Sequence, residues 1–255
     1  MHDIQAETDS RGIEVDQVGI AGVRYPVVFD DGITKQRSIA EISVAVQLQA
    51  DRRGTHMSRM VALVHESLQA FDPRDMAQVL KTGAAKLDVP GISVVLSMPI
   101  SEVTSAPTSG LESVSVHDVE VTGTWQDGSC RVTAAVSSEV TSLCPCSKSI
   151  SDYGAHNQRS KVTLSVTGSG DHLYPLPVLN AVKIIRDSGS APVVPLVKRV
   201  DERTLTMQAY DHPVFVEDMA RDISLICRNR GLAHEVRVRN LESIHSHDAV
   251  ALITG

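Results

Sequence analysis

Aromatic residues make up only 3% of this 255-residue chain, with a single tryptophan, so aliphatic side chains must do the packing between its layers. Cysteine is scarce as well. In a cytosolic chain, where the compartment is reducing, four thiols read as free thiols, metal ligands or catalysts rather than a disulfide framework. No apolar run approaches the ~20 residues of a membrane span, and the opening MHDIQAETDSRG lacks the apolar core of a signal peptide. The expectation is a cytoplasmic protein with no membrane partner. Positive charge is also short: Lys+Arg 24 against Asp+Glu 31 gives a formal net charge of -7, which argues against a general nucleic-acid binder. A local basic pocket for a small anion stays open. With 42% hydrophobic and 22% charged residues, the chain can bury one large core or two small ones.

What is present is a doubled order of periodicities. VGIAGVRYPVVF reads as a strand, and in RSIAEISVAVQLQ the residues Ile42, Val44, Val46 and Leu48 alternate with polar or small neighbours, the mark of a half-buried strand. THMSRMVALVHESLQ then sets Met57, Met60, Val61, Val64 and Leu68 on one helical face. Asp72 and Pro73 predict an N-cap and first-turn proline opening a second helix through Met76, Leu80 and Leu87. Strands return around Ile92, Val94 and Leu96, and from Val114 to Trp125.

The second half repeats the order with longer connections. CRVTAAVSSEV and RSKVTLSVTG read as strands; LPVLNAVKIIRDSG and PVFVEDMARDISLICRNRG read as helices. The latter has Val216, Met219, Ile223 and Ile226 on one face and Gly231 as its stop; HEVRVRNL and DAVALITG close the sheet. Short links between adjacent strands imply antiparallel pairing with the helices gathered on one face, an α+β architecture. Residues 1–16 read as a flexible N-terminal tail, 17–126 as the first half and 127–255 as the second. Cys130 and Cys227 fall in apolar-periodic segments and are expected in the core.

Chemistry concentrates in SLCPCSKSISDYGAHNQRS, where Cys144 and Cys146 stand one residue apart and His156 follows just before a strand. A hairpin-like return would bring His156 beside Cys144. Thiolate and imidazole suit zinc and similar borderline metals. A structural zinc site, a CxC redox pair and a catalytic site with an open metal position are the three readings, but neither a second ligand couple nor a thioredoxin-like βαβ unit accompanies the motif. ESIHSHDA adds His245 and His247, on one face if extended, as metal ligands, acid/base groups or plain loop histidines. Glu202 and Glu217 flank an acid-rich stretch, and GTHMSR sets His56 and Arg59 at a helix start that suits an anion, unless Thr55 simply caps the helix.

Taken together, GTHMSR, SLCPCSKSISDYGAHNQRS, FVEDMARD and ESIHSH, in this order over most of residues 17–255, resemble the type IB GTP cyclohydrolase family. The resemblance implies two tandem tunnelling-fold (T-fold) modules, 17–126 and 127–255, assembled as a homotetramer with sites between subunits. It implies GTP as substrate and 7,8-dihydroneopterin triphosphate and formate as products, the entry to folate and in many bacteria to 7-deazaguanine nucleosides. It further implies a divalent metal ion (Zn, Mn or Fe) held by Cys144, His156 and Glu202. Glu217 would receive the guanine N–H groups, His245 and His247 would transfer protons, and Cys146 would lie in the site. Arg159, Lys148, Lys198, Arg59 and His56 are the candidate triphosphate contacts. A T-fold nitrile reductase of queuosine synthesis and a non-enzymatic zinc-stabilised oligomeric binding protein are the alternatives.

Overall fold

The computed structural model describes residues 4–255. Its strands are β1 (Val15–Asp30), β2 (Lys35–Leu48), β3 (Ala70–Phe71), β4 (Gly91–Ser105), β5 (Glu112–Gln126), β6 (Ser129–Leu143), β7 (Asn157–Ser169), β8 (Ala191–Pro192), β9 (Ala233–Asn240) and β10 (Ala249–Thr254). The helices are α1 (Met57–Ser67), α2 (Met76–Leu87), α3 (Pro145–Ile150), α4 (Val178–Ser188), α5 (Arg199–Asp211) and α6 (Val216–Asn229). Strand order is β10-β9-β7-β6-β5-β4-β2-β1-β3, with β8 paired to β6. The chain divides into two compact units, one of residues 1–99, 120–134 and 167–177, the other of residues 100–119, 135–166 and 178–255.

In the first unit, β1 and β2 form an antiparallel hairpin about a turn in which Asp31 Oδ1 accepts the Ile33 and Thr34 N–H groups at 3.1 and 2.7 Å. Gly32 takes φ +87 there, a conformation that strains any side-chain-bearing residue. The alternation predicted for β2 holds: Ile42, Val44, Val46 and Leu48 are all buried, and Ile42, Val44 and Val46 face Leu96, Val94 and Ile92 of β4. Asp72 caps a short 3₁₀ turn through the Arg74 N–H, and this turn runs into α2 with Met76, Leu80 and Leu87 buried as expected. Helix α1 departs from expectation. Its buried stripe is Met60, Leu63, Val64 and Leu68, while Met57 and Val61 are 36% and 45% exposed, because α2 approaches along the Leu63 side. A Cβ on Gly83 of α2 would stand 2.7 Å from Leu63 Cδ2, so glycine permits that approach. The segment ahead of β1, expected to be a loose tail, hydrogen-bonds through Gln5, Glu7 and Asp9 to Gly54, Arg53 and Asp51.

In the second unit, α6 buries Val216, Met219, Ala220, Ile223 and Cys227 against β9 and β10, whose antiparallel register runs from Asn240↔Ala249 to Glu235↔Thr254. Ile226 is only half-buried, and Cys227 takes the core position beside Ile223. Gly231 stops α6 at φ +65, as its sequence predicts. Cys227 is in the core and burial pushes its thiol upward, but Cys130 is only partly covered. Helices α3 and α5 are absent from the sequence reading. The latter buries only Asp201 and Ala209, too few apolar positions to announce a helix.

Candidate active site

Strand β6 ends at Leu143, whose N–H donates to Ser190 Oγ at 3.0 Å and whose carbonyl accepts the Val214 N–H at 3.1 Å. A buried chain of hydroxyls and an amide fixes the neighbouring strands. Ser160 donates to Asn240 Oδ1 at 2.6 Å, Asn240 Nδ2 donates to Ser142 Oγ at 3.0 Å, and Ser142 donates to the Val214 carbonyl at 2.9 Å. Every member has a partner, so the polar chain locks β6, β7, β9 and the entry to α6 in one arrangement.

On this platform the CPC segment folds back. The Cys144 N–H donates to the His156 carbonyl at 3.0 Å, closing the loop from residue 144 to 156 as the spacing anticipates. Pro145 opens α3, where its missing N–H costs nothing, and the Ser147 N–H donates to Cys144 Sγ at 3.4 Å. Cys144 is half-buried and Cys146 exposed. The His156 ring donates from Nδ1 to Gln158 Oε1 at 2.8 Å, with Glu242 Oε2 at 3.8 Å behind it. With Nδ1 engaged by Gln158, Nε2 is the ring nitrogen left for a cation. His245 lies edge-on to His156 with centroids 6.4 Å apart, and His247 stacks on His245 at 5.3 Å. The Leu241 N–H bonded to the Arg159 carbonyl and an Arg239–Asp248 ion pair hold both ends of the loop carrying these two rings.

The remaining candidates stand further out. Lys148 Nζ donates to the Tyr210 carbonyl and lies 4.2 Å over the Tyr210 ring, tying α3 to the C-terminal end of α5. Arg159 pairs with Glu139 at 3.3 Å. Glu202 and Glu217 are exposed in the first turns of α5 and α6. Leu205 and Ala209 of α5 pack with Leu143 and Ala155, the chain neighbours of Cys144 and His156, and Glu202 lies one helical turn before Leu205. In the other unit His56 is the N-cap of α1 without a side-chain cap bond, and Thr55 is buried one residue earlier. His56 and Arg59 line a cavity of about 350 Å³ shared with Arg52 and Asp88.

Among the described residues no group of three or more His, Cys, Asp or Glu side chains is placed to hold a metal ion. The chemistry of Cys144 and His156 nonetheless fits a borderline cation: a thiol and an imidazole on adjoining segments, the imidazole already oriented by a buried amide. Sequence reading overlooked Gln158 and Asp201. Asp201 is wholly buried; burial alone would raise its carboxyl, yet bonds from Ser109, Lys198 and Thr108 hold it well below the ordinary carboxylate range.

A family model described as type I GTP cyclohydrolase folE2 matches residues 1–251. GTP cyclohydrolase FolE2 of Cupriavidus necator is 40% identical over 255 residues, covering 99% of this chain and 94% of that protein. FolE2 of Herminiimonas arsenicoxydans is 39% identical over 253 residues (98% and 95%), and that of Neisseria gonorrhoeae 38% over 253 residues (98% and 97%). Among solved structures, uricase from Arthrobacter globiformis superposes with a TM-score of 0.51 at 10% identity, over 100% of this chain and 94% of that chain. A uricase from Bacillus fastidious gives 0.51 at 10% identity, over 97% and 94%. At such identity the uricases speak for the fold alone.

Proposed function

The chain belongs to the FolE2 family of type I GTP cyclohydrolases, and from that membership we propose how its own residues perform the reaction. The protein is a GTP cyclohydrolase of folate biosynthesis. It takes GTP and water to 7,8-dihydroneopterin triphosphate and formate. One observation carries the assignment of the site: Cys144, His156, His245 and His247 gather at the ends of β6, β7 and β9. The doubled strand and helix order and the uricase likeness support two tandem T-fold modules. The exposure of Glu202, Glu217, His245 and His247 leaves room for groups from a neighbouring copy, in keeping with a homotetramer whose sites lie between subunits. No described helix is long and apolar enough to cross a membrane.

Cys144, His156 through Nε2, and Glu202 would hold a divalent cation, Zn, Mn or Fe. When bound, that cation supplies a water acidified toward a pKa of ~7 for attack at guanine C8. Gln158 fixes the His156 tautomer so that Nε2 stays unprotonated. Glu217, at the exposed start of α6, accepts the guanine N1–H and exocyclic amine as a pair and rejects adenine, which offers an acceptor at N1 and no amine at C2. His245 and His247 move a proton to the ring nitrogen that departs as the C8 bond breaks. Their stacked contact keeps the two rings side by side. Arg159 and Lys198 are the triphosphate contacts of this unit, with Lys148 joining them if its Tyr210 bond is released, and Arg59 and His56 would be supplied by a neighbouring copy. Formate and a dihydropterin should appear when purified protein meets GTP with Mn²⁺ or Zn²⁺ and not in chelated buffer. Equal turnover with and without chelator would remove the metal from this account.

A further inference from the structure

Helix α5 carries Glu202 but is poorly anchored by apolar contacts, since Asp201 and Ala209 are its only buried residues. Ala209 sits near the C-terminal end, so the first turn depends on Asp201. Its carboxylate receives four donors. Oδ1 accepts the Thr108 N–H at 2.8 Å and the Ser109 N–H at 2.7 Å; Oδ2 accepts the Ser109 hydroxyl at 2.6 Å and the Lys198 N–H at 2.9 Å. Thr108 and Ser109 belong to the turn joining β4 to β5, closed by the Ala106 N–H to the Leu111 carbonyl at 2.9 Å. A contact between the Thr108 and Thr204 hydroxyls at 2.6 Å adds a second tie between that turn and α5. The N-terminal turn of α5 is thereby fixed to a strand hairpin nearly a hundred residues earlier in sequence.

We propose that Asp201 is a positioning residue for the reaction, fastening the first turn of α5 to the β4–β5 turn so that Glu202 is presented to the metal site. The inference rests on the reading of Glu202 as a ligand. A carboxylate ligand on an exposed helix turn binds well only if the backbone beneath it does not wander, because each ordering step on binding weakens affinity. Asp201 removes that freedom in advance. An asparagine in its place keeps one acceptor oxygen but turns a donor toward the Ser109 hydroxyl or the Lys198 N–H, breaking the clamp without changing side-chain volume.

The test is a double-mutant cycle on the dissociation constant for Mn²⁺ or Zn²⁺ alone, measured by chelator competition on folded full-length protein well below its melting temperature. Asp201→Asn should weaken metal binding by about tenfold, the scale seen when the support of a metal ligand is lost. It should lower kcat at limiting metal while leaving the KM for GTP within about twofold, and saturating metal should restore turnover. In a Glu202→Gln background the same change should add less than about twofold, because its effect runs through Glu202. Equal losses in both backgrounds, or unchanged metal affinity in Asp201→Asn while Glu202→Gln binds weakly, would overturn the positioning role. Unchanged affinity in Glu202→Gln itself would instead strike the ligand reading on which it rests. If Asp201→Asn does not fold, Ser109→Ala removes one of the four donors and should weaken metal binding about two- to threefold; no change would overturn the proposal.

Discussion

Replacing Gln158 by leucine isolates the tautomer argument from the ligands themselves. In the native protein the His156 Nδ1–H donates to Gln158 Oε1 at 2.8 Å, and Gln158 is only 7% exposed. Leucine is close in volume but accepts nothing. Glu242 Oε2 stands at 3.8 Å, beyond hydrogen-bonding range. The imidazole then either keeps a buried, unpaired N–H, at a cost of about 1–3 kcal/mol, or shifts its proton to Nε2 and loses the lone pair that would bind the cation. Outer-shell partners of metal-bound histidines are worth about 10–100-fold in affinity, or about 1.4–2.7 kcal/mol. Gln158→Leu should weaken Mn²⁺ or Zn²⁺ binding by that factor in a chelator competition, while Gln158→Glu, which keeps an acceptor, should bind at least as tightly as the native protein. Native affinity in the leucine variant would refute the argument that Gln158 sets the state of His156.

Two further outcomes follow from the same structure. Met219, fully buried on α6 two residues from Glu217, should cost about 2–5 kcal/mol of stability when cut to alanine, read as a shift in the urea midpoint; a loss under about 1 kcal/mol would show the helix less tightly packed than described. His117 of β5 is buried, with Glu102 of β4, Arg186 of α4 and its neighbour Asp118 as the charged groups around it, and burial first, with Arg186 adding, lowers its pKa despite Glu102. The folded protein therefore keeps this ring neutral where the unfolded chain, with an ordinary imidazole near ~6.5, already takes up a proton, so stability present above that value is lost as pH falls below it. His117→Gln should flatten the decline of melting temperature between about pH 6.5 and 5; an unchanged decline would assign it to other groups.

The parts legible in the sequence are those whose signal is local. The alternation of β2, the Asp72–Pro73 start of α2 and the Gly231 stop need only neighbours in the chain, and each is found in place. The CPC segment and His156 were also legible, since a return of the chain over a dozen residues is a short-range event. Helix α5 was not, because it is held by Asp201 and Ala209 rather than by an apolar stripe. Asn240 and Asp201 escaped for the same reason, since their partners lie 80 and 92 residues away, and Gln158 escaped although its partner is only 2 residues away, because a single side-chain bond leaves no periodicity. Exposure of Met57 and Val61 followed from where α2 packs, again a tertiary matter.

The most direct test of the account compares metal content and formate release from GTP for the native protein, Cys144→Ala and Cys146→Ala, each loaded with Mn²⁺ or Zn²⁺ and desalted. The account predicts that Cys144→Ala loses both bound metal and formate production while remaining folded. Formate released by Cys144→Ala at the native rate, or metal retained in full without that thiol, would contradict it.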